Sequence, residues 1–221
     1  IKSSASHIEL AVDILASQVK ESLLLAEEIE KEKGVIIEEL KMYKDNPGSY
    51  VGDLYDQLQF GDQPLGWDIG GKESTVKGLK KQDLVNYIKD LYLPNNMALV
   101  FAGKLPANIL DLASQHFADL TGQTKRTFKP YQSPKQIKPK VNIHRRDIEQ
   151  VNLMLGVEAY GRDNPKRFAA KLLALILGGG MSSRLFLQIR EKRGLAYHIS
   201  AYSQNYIDTG SFFVYAGLRT A

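Results

Sequence analysis

Residues 121–139 contain Pro130, Pro134 and Pro139, are otherwise polar, and show no hydrophobic periodicity. A stretch like this cannot sit inside a helix or a sheet, so it divides the 221 residues into two folding segments. Before it the apolar spacing is mostly helical. Leu10–Leu24 is an amphipathic run, with Ser6 and Glu9 spaced as a capping box ahead of it. Further helices are predicted over Glu27–Lys44, Ser49–Gln59, Lys81–Tyr92 and Ala107–Leu120, with loop over Gly61–Gly71. Met97–Ala102 is a continuous apolar run closed by Gly103 and reads as a buried strand.

After the divide, Val141–Arg145 and Gln150–Glu158 read as strands, followed by a helix over Pro165–Leu177 with Pro165 in its first turn. Gly178-Gly179-Gly180 breaks that helix. Ser182 or Ser183 then caps another one through Lys192, which Gly194 stops. Ala196–Gln204 and Ser211–Ala216 close the chain as β-prone stretches around Asp208-Thr209-Gly210. Helices grouped before strands, without regular βαβ alternation, indicate an α+β architecture. The expected divisions are 1–120, a linker at 121–139, and 140–221.

Composition narrows the function classes. There is no cysteine, so thiolate chemistry and disulfides are excluded and any metal must be held by His, Asp or Glu. The longest apolar runs are too short for a membrane span. The net charge of +4 is concentrated in Lys125, Arg126, Lys129, Lys135, Lys138, Lys140, Arg145 and Arg146. That run has few aromatic residues and matches no nucleic-acid-binding motif, so it reads as a solvated linker and no nucleic-acid partner is expected. The reading places the protein in a cytoplasm.

The segment E-K-E-K-G-V-I-I-E-E-L-K-M-Y-K-D-N-P at 30–47 concentrates the carboxylates. On a wheel at about 100° per residue, Leu25, Ile29, Leu40 and Tyr43 fall within roughly 40° of Ile36 and define the core stripe. Glu32 and Glu39, two turns apart, fall on the border of that stripe; Glu27, Glu30 and Glu38 point to water. Border glutamates commonly cover core with their methylenes, and a carboxylate can also complete a zinc site beside two histidines. His7, His116, His144 and His198 do not provide such a pair, and neither H-E-x-x-H nor H-x-x-E-H occurs. The pattern by itself leaves both readings open.

The same segment resembles the downstream glutamate helix of the pitrilysin and insulinase family of zinc metallopeptidases (peptidase family M16), in its bacterial and mitochondrial processing-peptidase branch. G-G-G-M-S-S-R-L-F-L-Q-I-R-E-K-R-G-L-A-Y at 178–197 is similar to the substrate-contacting part of that family's second domain. P-L-G-W-D-I-G-G-K-E-S at 64–74 and Y-L-P-N-N-M-A-L-V-F-A-G at 92–103 are similar to the connecting loop and central strand of its first. The resemblance implies two homologous domains, each a sheet with helices packed on one face and each incomplete in this chain. It implies Glu39 as a metal ligand, Glu32 as the supporting catalytic carboxylate, and Arg190 and Tyr197 as substrate-binding residues.

It also implies zinc as the cofactor, with two histidine ligands and the catalytic glutamate on an H-x-x-E-H segment that these residues lack. The expected activity is endopeptidase cleavage of unfolded polypeptides by the parent protein, in a homo- or heterodimer with a homologous subunit. These residues alone are expected to be inactive. The alternative is a non-catalytic homologous subunit that assists an active partner. On the residues alone, Arg190 could offset a helix dipole and Tyr197 could be an ordinary strand aromatic.

Overall fold

The computed structural model describes residues 1–134 and 136–219, and these form two compact units. The first comprises Ile1–Ile36 and Ser74–Phe128; the second comprises Ile37–Glu73 and Lys129–Ala221. Lys135, inside the basic run, lies outside the described residues.

In the first unit, α1 (Ile8–Lys20) packs on α6 (Ile109–Phe117) through buried Val12, Ala16 and Leu112. Val12 and Ala16 are four residues apart, so they lie one above the other on one helix face. Lys20 closes the pair from its helix end: its ammonium donates to the His116 carbonyl at 2.8 Å and to the Asp119 carboxylate at 2.7 Å. That hydrogen bond holds the Asp119 carboxyl below the usual carboxylate range. The Ser6 capping box does not form. Ser6 lies in a 3₁₀ turn, its hydroxyl bonds Ser4, and no side chain caps α1. At α5 (Lys81–Leu91), by contrast, the Asp83 carboxylate accepts from the Lys80 backbone N–H at 2.8 Å.

Met97–Ala102 is not a strand. It carries no regular structure, and Val100 is 81% exposed. A strand needs a neighbour to satisfy its backbone groups, and no strand is assigned among the described residues of this unit. Leu99–Ala102 instead lines a cleft of about 240 Å³ with Ile8, Val12 and Leu15 of α1.

The second unit is built on an antiparallel sheet of β1 (Gln150–Ala159), β2 (Ala196–Asn205) and β3 (Gly210–Arg219), in the order β1-β3-β2. Val141–Arg145, expected as a strand, pairs with nothing in the sheet and runs as irregular backbone. Successive side chains point to opposite faces of a strand, and a helix seats on each face. On one face lies α3 (Pro47–Phe60), which begins where the preceding helix stops. The Asn46 side chain accepts from the Gly48 and Ser49 N–H groups, and Pro47 occupies the first turn.

Tyr55 of α3 enters the sheet over Gly156, where any Cβ would collide with its hydroxyl. That hydroxyl shares a 2.8 Å hydrogen bond with Ser211, which is fully buried and donates to Gln59 Oε1 at 2.8 Å. Phe60, also fully buried, is met edge-on by Tyr131 and Tyr206.

On the opposite face lies α7 (Arg167–Gly178), with small buried Ala170, Ala174 and Gly178 toward β2. A side chain at Gly178 would strike the Ala201 backbone, so the first glycine of the triplet exists for close approach. Pro165 precedes α7 rather than sitting in its first turn; its carbonyl accepts from Phe168. The core on this face is Ala196, Ile199 and Ala216, with Leu185, Ile189, Val214 and Leu218 packed against it.

Removing one member of the α3–sheet hydrogen-bond group strands the others in a buried site. Ser211→Ala is expected to lower unfolding stability by about 1–3 kcal/mol, read by urea denaturation. Tyr55→Phe combined with Ser211→Ala should cost less than the sum of the two single changes.

Candidate functional site

The glutamate segment is one unbroken helix, α2 (Ala26–Asp45), beginning one residue before the expected start and ending one after the expected end. Only Leu40 is buried; Ile29, Ile36 and Ile37 are half-buried. Leu25 precedes the helix and is exposed, as is Tyr43, so the apolar stripe is shorter than the wheel suggests. A stripe interrupted by Lys33 and flanked by so many charges buries little per turn.

Glu32, in the first unit, and Glu39, in the second, are both exposed rather than half-buried. The two neighbouring glutamates differ in what holds them. Glu38 is tied to Lys41 at 2.8 Å, one of three such links along the helix, with Glu28–Lys31 and Glu30–Lys33 at 2.6 Å each. Glu32 and Glu39 make no hydrogen bond or ion pair with any described residue. Exposed i,i+3 pairs contribute only about 0.2–0.5 kcal/mol each. Their effect here is to occupy the other acids and leave these two carboxylates open.

Arg190 and Tyr197 are brought together. The segment that carries Arg190 is not the expected Ser-capped α-helix. Phe186–Glu191 is π-helical, and no side chain caps it. The Ser183 hydroxyl is buried without a partner among the described residues. The turn closes at Gly194 (φ 61°), where the Gly194 and Leu195 N–H groups donate to the Arg190 and Ile189 carbonyls. Glycine is required at such a backbone angle.

β2 then starts with an irregularity in register between Ala196 and His198, at Tyr197. Tyr197 is 75% exposed. The half-buried Arg190 guanidinium stands over two rings, 4.8 Å from the Phe186 centroid and 5.5 Å from that of Tyr197. Ring stacking uses the face of the guanidinium and leaves its N–H edge free to bind oxygen. π-turns recur at functional sites because the extra residue re-aims a side chain.

The described residues do not by themselves make a metal centre. No group of three His, Cys, Asp or Glu side chains able to hold an ion occurs among them. His116 approaches Asp13 at 3.8 Å, His144 stacks edge-on to Tyr50 and His198 bonds Ser200, and no described histidine joins Glu39 in a group able to hold an ion.

Several residues that the sequence gives no reason to single out are electrostatically perturbed, Asp56 and Tyr206 among them. Burial, and then the charge of Asp53, push the Asp56 carboxyl up to about 6. Burial and Asp56 push the Tyr206 hydroxyl up to about 12. Both follow from packing α3 on the sheet, which sequence spacing does not reveal.

Comparison with known proteins settles the family. The description "Peptidase M16 inactive domain" matches residues 78–221, more than half of the chain, and "Insulinase (Peptidase family M16)" matches residues 1–72. The chain belongs to peptidase family M16. Relatives of this M16 chain include an uncharacterised zinc protease of Streptomyces coelicolor, 33% identical over 97% of this chain and 48% of the relative. Another, of Rickettsia felis, is 36% identical over 96% of this chain and 51% of the relative.

The M16 chain thus spans about half the length of the curated relatives it matches. A protease from Helicobacter pylori has the same fold, with a TM-score of 0.88 at 20% identity, covering 98% of this chain and 53% of that one. So does a peptidase M16 inactive domain from Pseudomonas fluorescens, with a TM-score of 0.84 at 24% identity, covering 98% and 52%.

Asp56 gives a pH dependence with a definite sign. Its folded-state carboxyl titrates near 6, above the ordinary value of about 4, so between those two pH values the folded chain holds more proton than the unfolded one. This contribution to stability is complete below pH 4 and is lost as pH rises through 6. With solvent screening the loss is about 1–2 kcal/mol. Urea titrations at pH 4.5 and 7 should show it in the parent chain and show it flattened in Asp56→Asn.

Proposed function

We propose that this chain is part of a zinc-dependent endopeptidase that cleaves unfolded polypeptides. The observation that carries the reading is the Arg190–Tyr197 pair. The π-turn and the break in β2 register hold a guanidinium against an exposed tyrosine, at the two positions that the family resemblance marks for substrate. A free guanidinium edge and a phenolic O–H are both donors suited to a peptide carbonyl. Donors held in place before reaction favour the charge that grows on that oxygen when the carbonyl is attacked.

In this reading Glu39 supplies one carboxylate ligand to zinc and Glu32 is the supporting carboxylate. Both are free of the lysine pairs that occupy Glu28, Glu30 and Glu38. The naming of relatives as zinc proteases supports the metal. In this reading residues 1–221 contribute one ligand, and a histidine pair from outside them would complete the set. The reading includes a bacterial cytoplasmic location and pairing with a second, homologous subunit. It keeps 1–120 and 140–221 as the metal-binding and substrate-contacting parts, joined by 121–139.

A non-catalytic subunit that assists an active partner is the second reading. The family description "inactive domain", matched over residues 78–221, favours it. Metal content of the full-length protein separates the two. The endopeptidase retains one zinc ion per site, loses it in Glu39→Gln and keeps it in Glu38→Gln; the assisting subunit holds none. In the endopeptidase, Arg190→Gln and Tyr197→Phe should each lower kcat/KM on an unfolded polypeptide by about 10²-fold with zinc content unchanged. Equal zinc loss in Glu38→Gln and Glu39→Gln would remove Glu39 from the site.

A further inference from the structure

Within the second unit, α3, the irregular segment before β1 and β1 itself border an open cleft of about 510 Å³. At roughly 30 Å³ for each water-sized group, it has room for about seventeen non-hydrogen atoms, and its volume is in the range of small-molecule sites. Val51, Leu54 and Leu58 of α3 form one wall; Ile143, Ile148 and Met154 form the other. The polar side chains are of three kinds, the first being the amides of Asn142 and Gln150, which bond no described side chain. Those of Tyr55 and Asn152 are already engaged, with Ser211 at 2.8 Å and Tyr215 at 2.7 Å.

The basic groups at 144–146 retain capacity. Arg146 donates from one Nη to the Lys44 carbonyl and stacks at 5.3 Å over Tyr50, which leaves its remaining N–H groups. His144 meets the same ring at 5.1 Å. Arg145 lines the cleft and makes no hydrogen bond or ion pair with a described residue.

We propose that this cleft is a binding site for a single-tailed amphipathic carboxylate, with the hydrocarbon tail between α3 and β1 and the carboxylate on Arg145 and Arg146. An apolar cleft with a few cationic groups at one end matches that chemistry. A carboxylate head meets the guanidinium groups at the basic end of the cleft while its tail lies against the apolar walls. A guanidinium matches a carboxylate with two parallel hydrogen bonds. The proposal does not depend on the peptidase reading, and its test involves neither zinc nor proteolysis.

The probe is dodecanoate, with fourteen non-hydrogen atoms, titrated below its micellar range into the full-length protein by calorimetry at pH 8. The expected result is saturable 1:1 binding, with dodecanol at least tenfold weaker. Arg145→Gln, which disturbs no contact among the described residues, should weaken dodecanoate at least tenfold and leave dodecanol unchanged. Val51→Trp, which fills the cleft, should abolish binding of both, with circular dichroism showing an intact fold. Non-saturable uptake, or equal affinity for dodecanoate and dodecanol in the parent chain, overturns the proposal. So does tighter binding of a short leucine-rich peptide than of dodecanoate.

Discussion

The second unit depends on a tyrosine hydroxyl reaching a serine through a gap left by a glycine. Gly156 has no side chain, so Tyr55 can lie against β1 and meet Ser211 on β3. Gln59, one helical turn further along α3, completes the group. Apolar contact would allow α3 to slide along the sheet; three polar groups that bond one another, with Gln59 also donating to the Gly210 carbonyl, do not. The same docking removes Asp56 from water and packs Phe60 between Tyr131 and Tyr206.

Much of the fold was readable because its elements are local. The helices over 8–20, 26–45, 47–60, 81–91 and 109–117 follow from apolar spacing and from proline and asparagine punctuation, and the three paired strands from alternation. The misreadings share a cause. Met97–Ala102 and Val141–Arg145 have strand composition, but a strand is a property of a pair, and composition does not reveal whether a partner is present. At Ser6 and at Ser182–Ser183, residues suited to capping stand near helix starts without capping them, because the chain enters each helix through a different turn. The Tyr55–Ser211 bond joins residues 156 positions apart, and no spacing rule covers that distance.

The candidate site divides the same way. Glu32 and Glu39 stood out by their two-turn separation, and Arg190 and Tyr197 by the segment around them. What the sequence could not show is the means of selection among similar residues. On α2, lysines three residues away engage Glu28, Glu30 and Glu38 and pass over positions 32 and 39. The half-buried placement expected for those two fails because α2 buries only Leu40 fully and its hydrophobic face is too narrow to draw its borders inward.

The wide turn at Phe186–Glu191 makes chain length, rather than composition, the tightly held variable there. A π-turn accommodates one residue more than an α-turn of the same span. Deleting any one residue between Leu185 and Gly194 would let the backbone relax into ordinary α-helix, and everything downstream would enter β2 rotated by about 100°. Ala196 and Ile199, which anchor the core on that face, would then compete with Tyr197 for the inward direction. Point substitutions along this stretch leave the spacing intact, whereas a single-codon gap re-indexes the strand, so the segment tolerates change in letters far better than change in count.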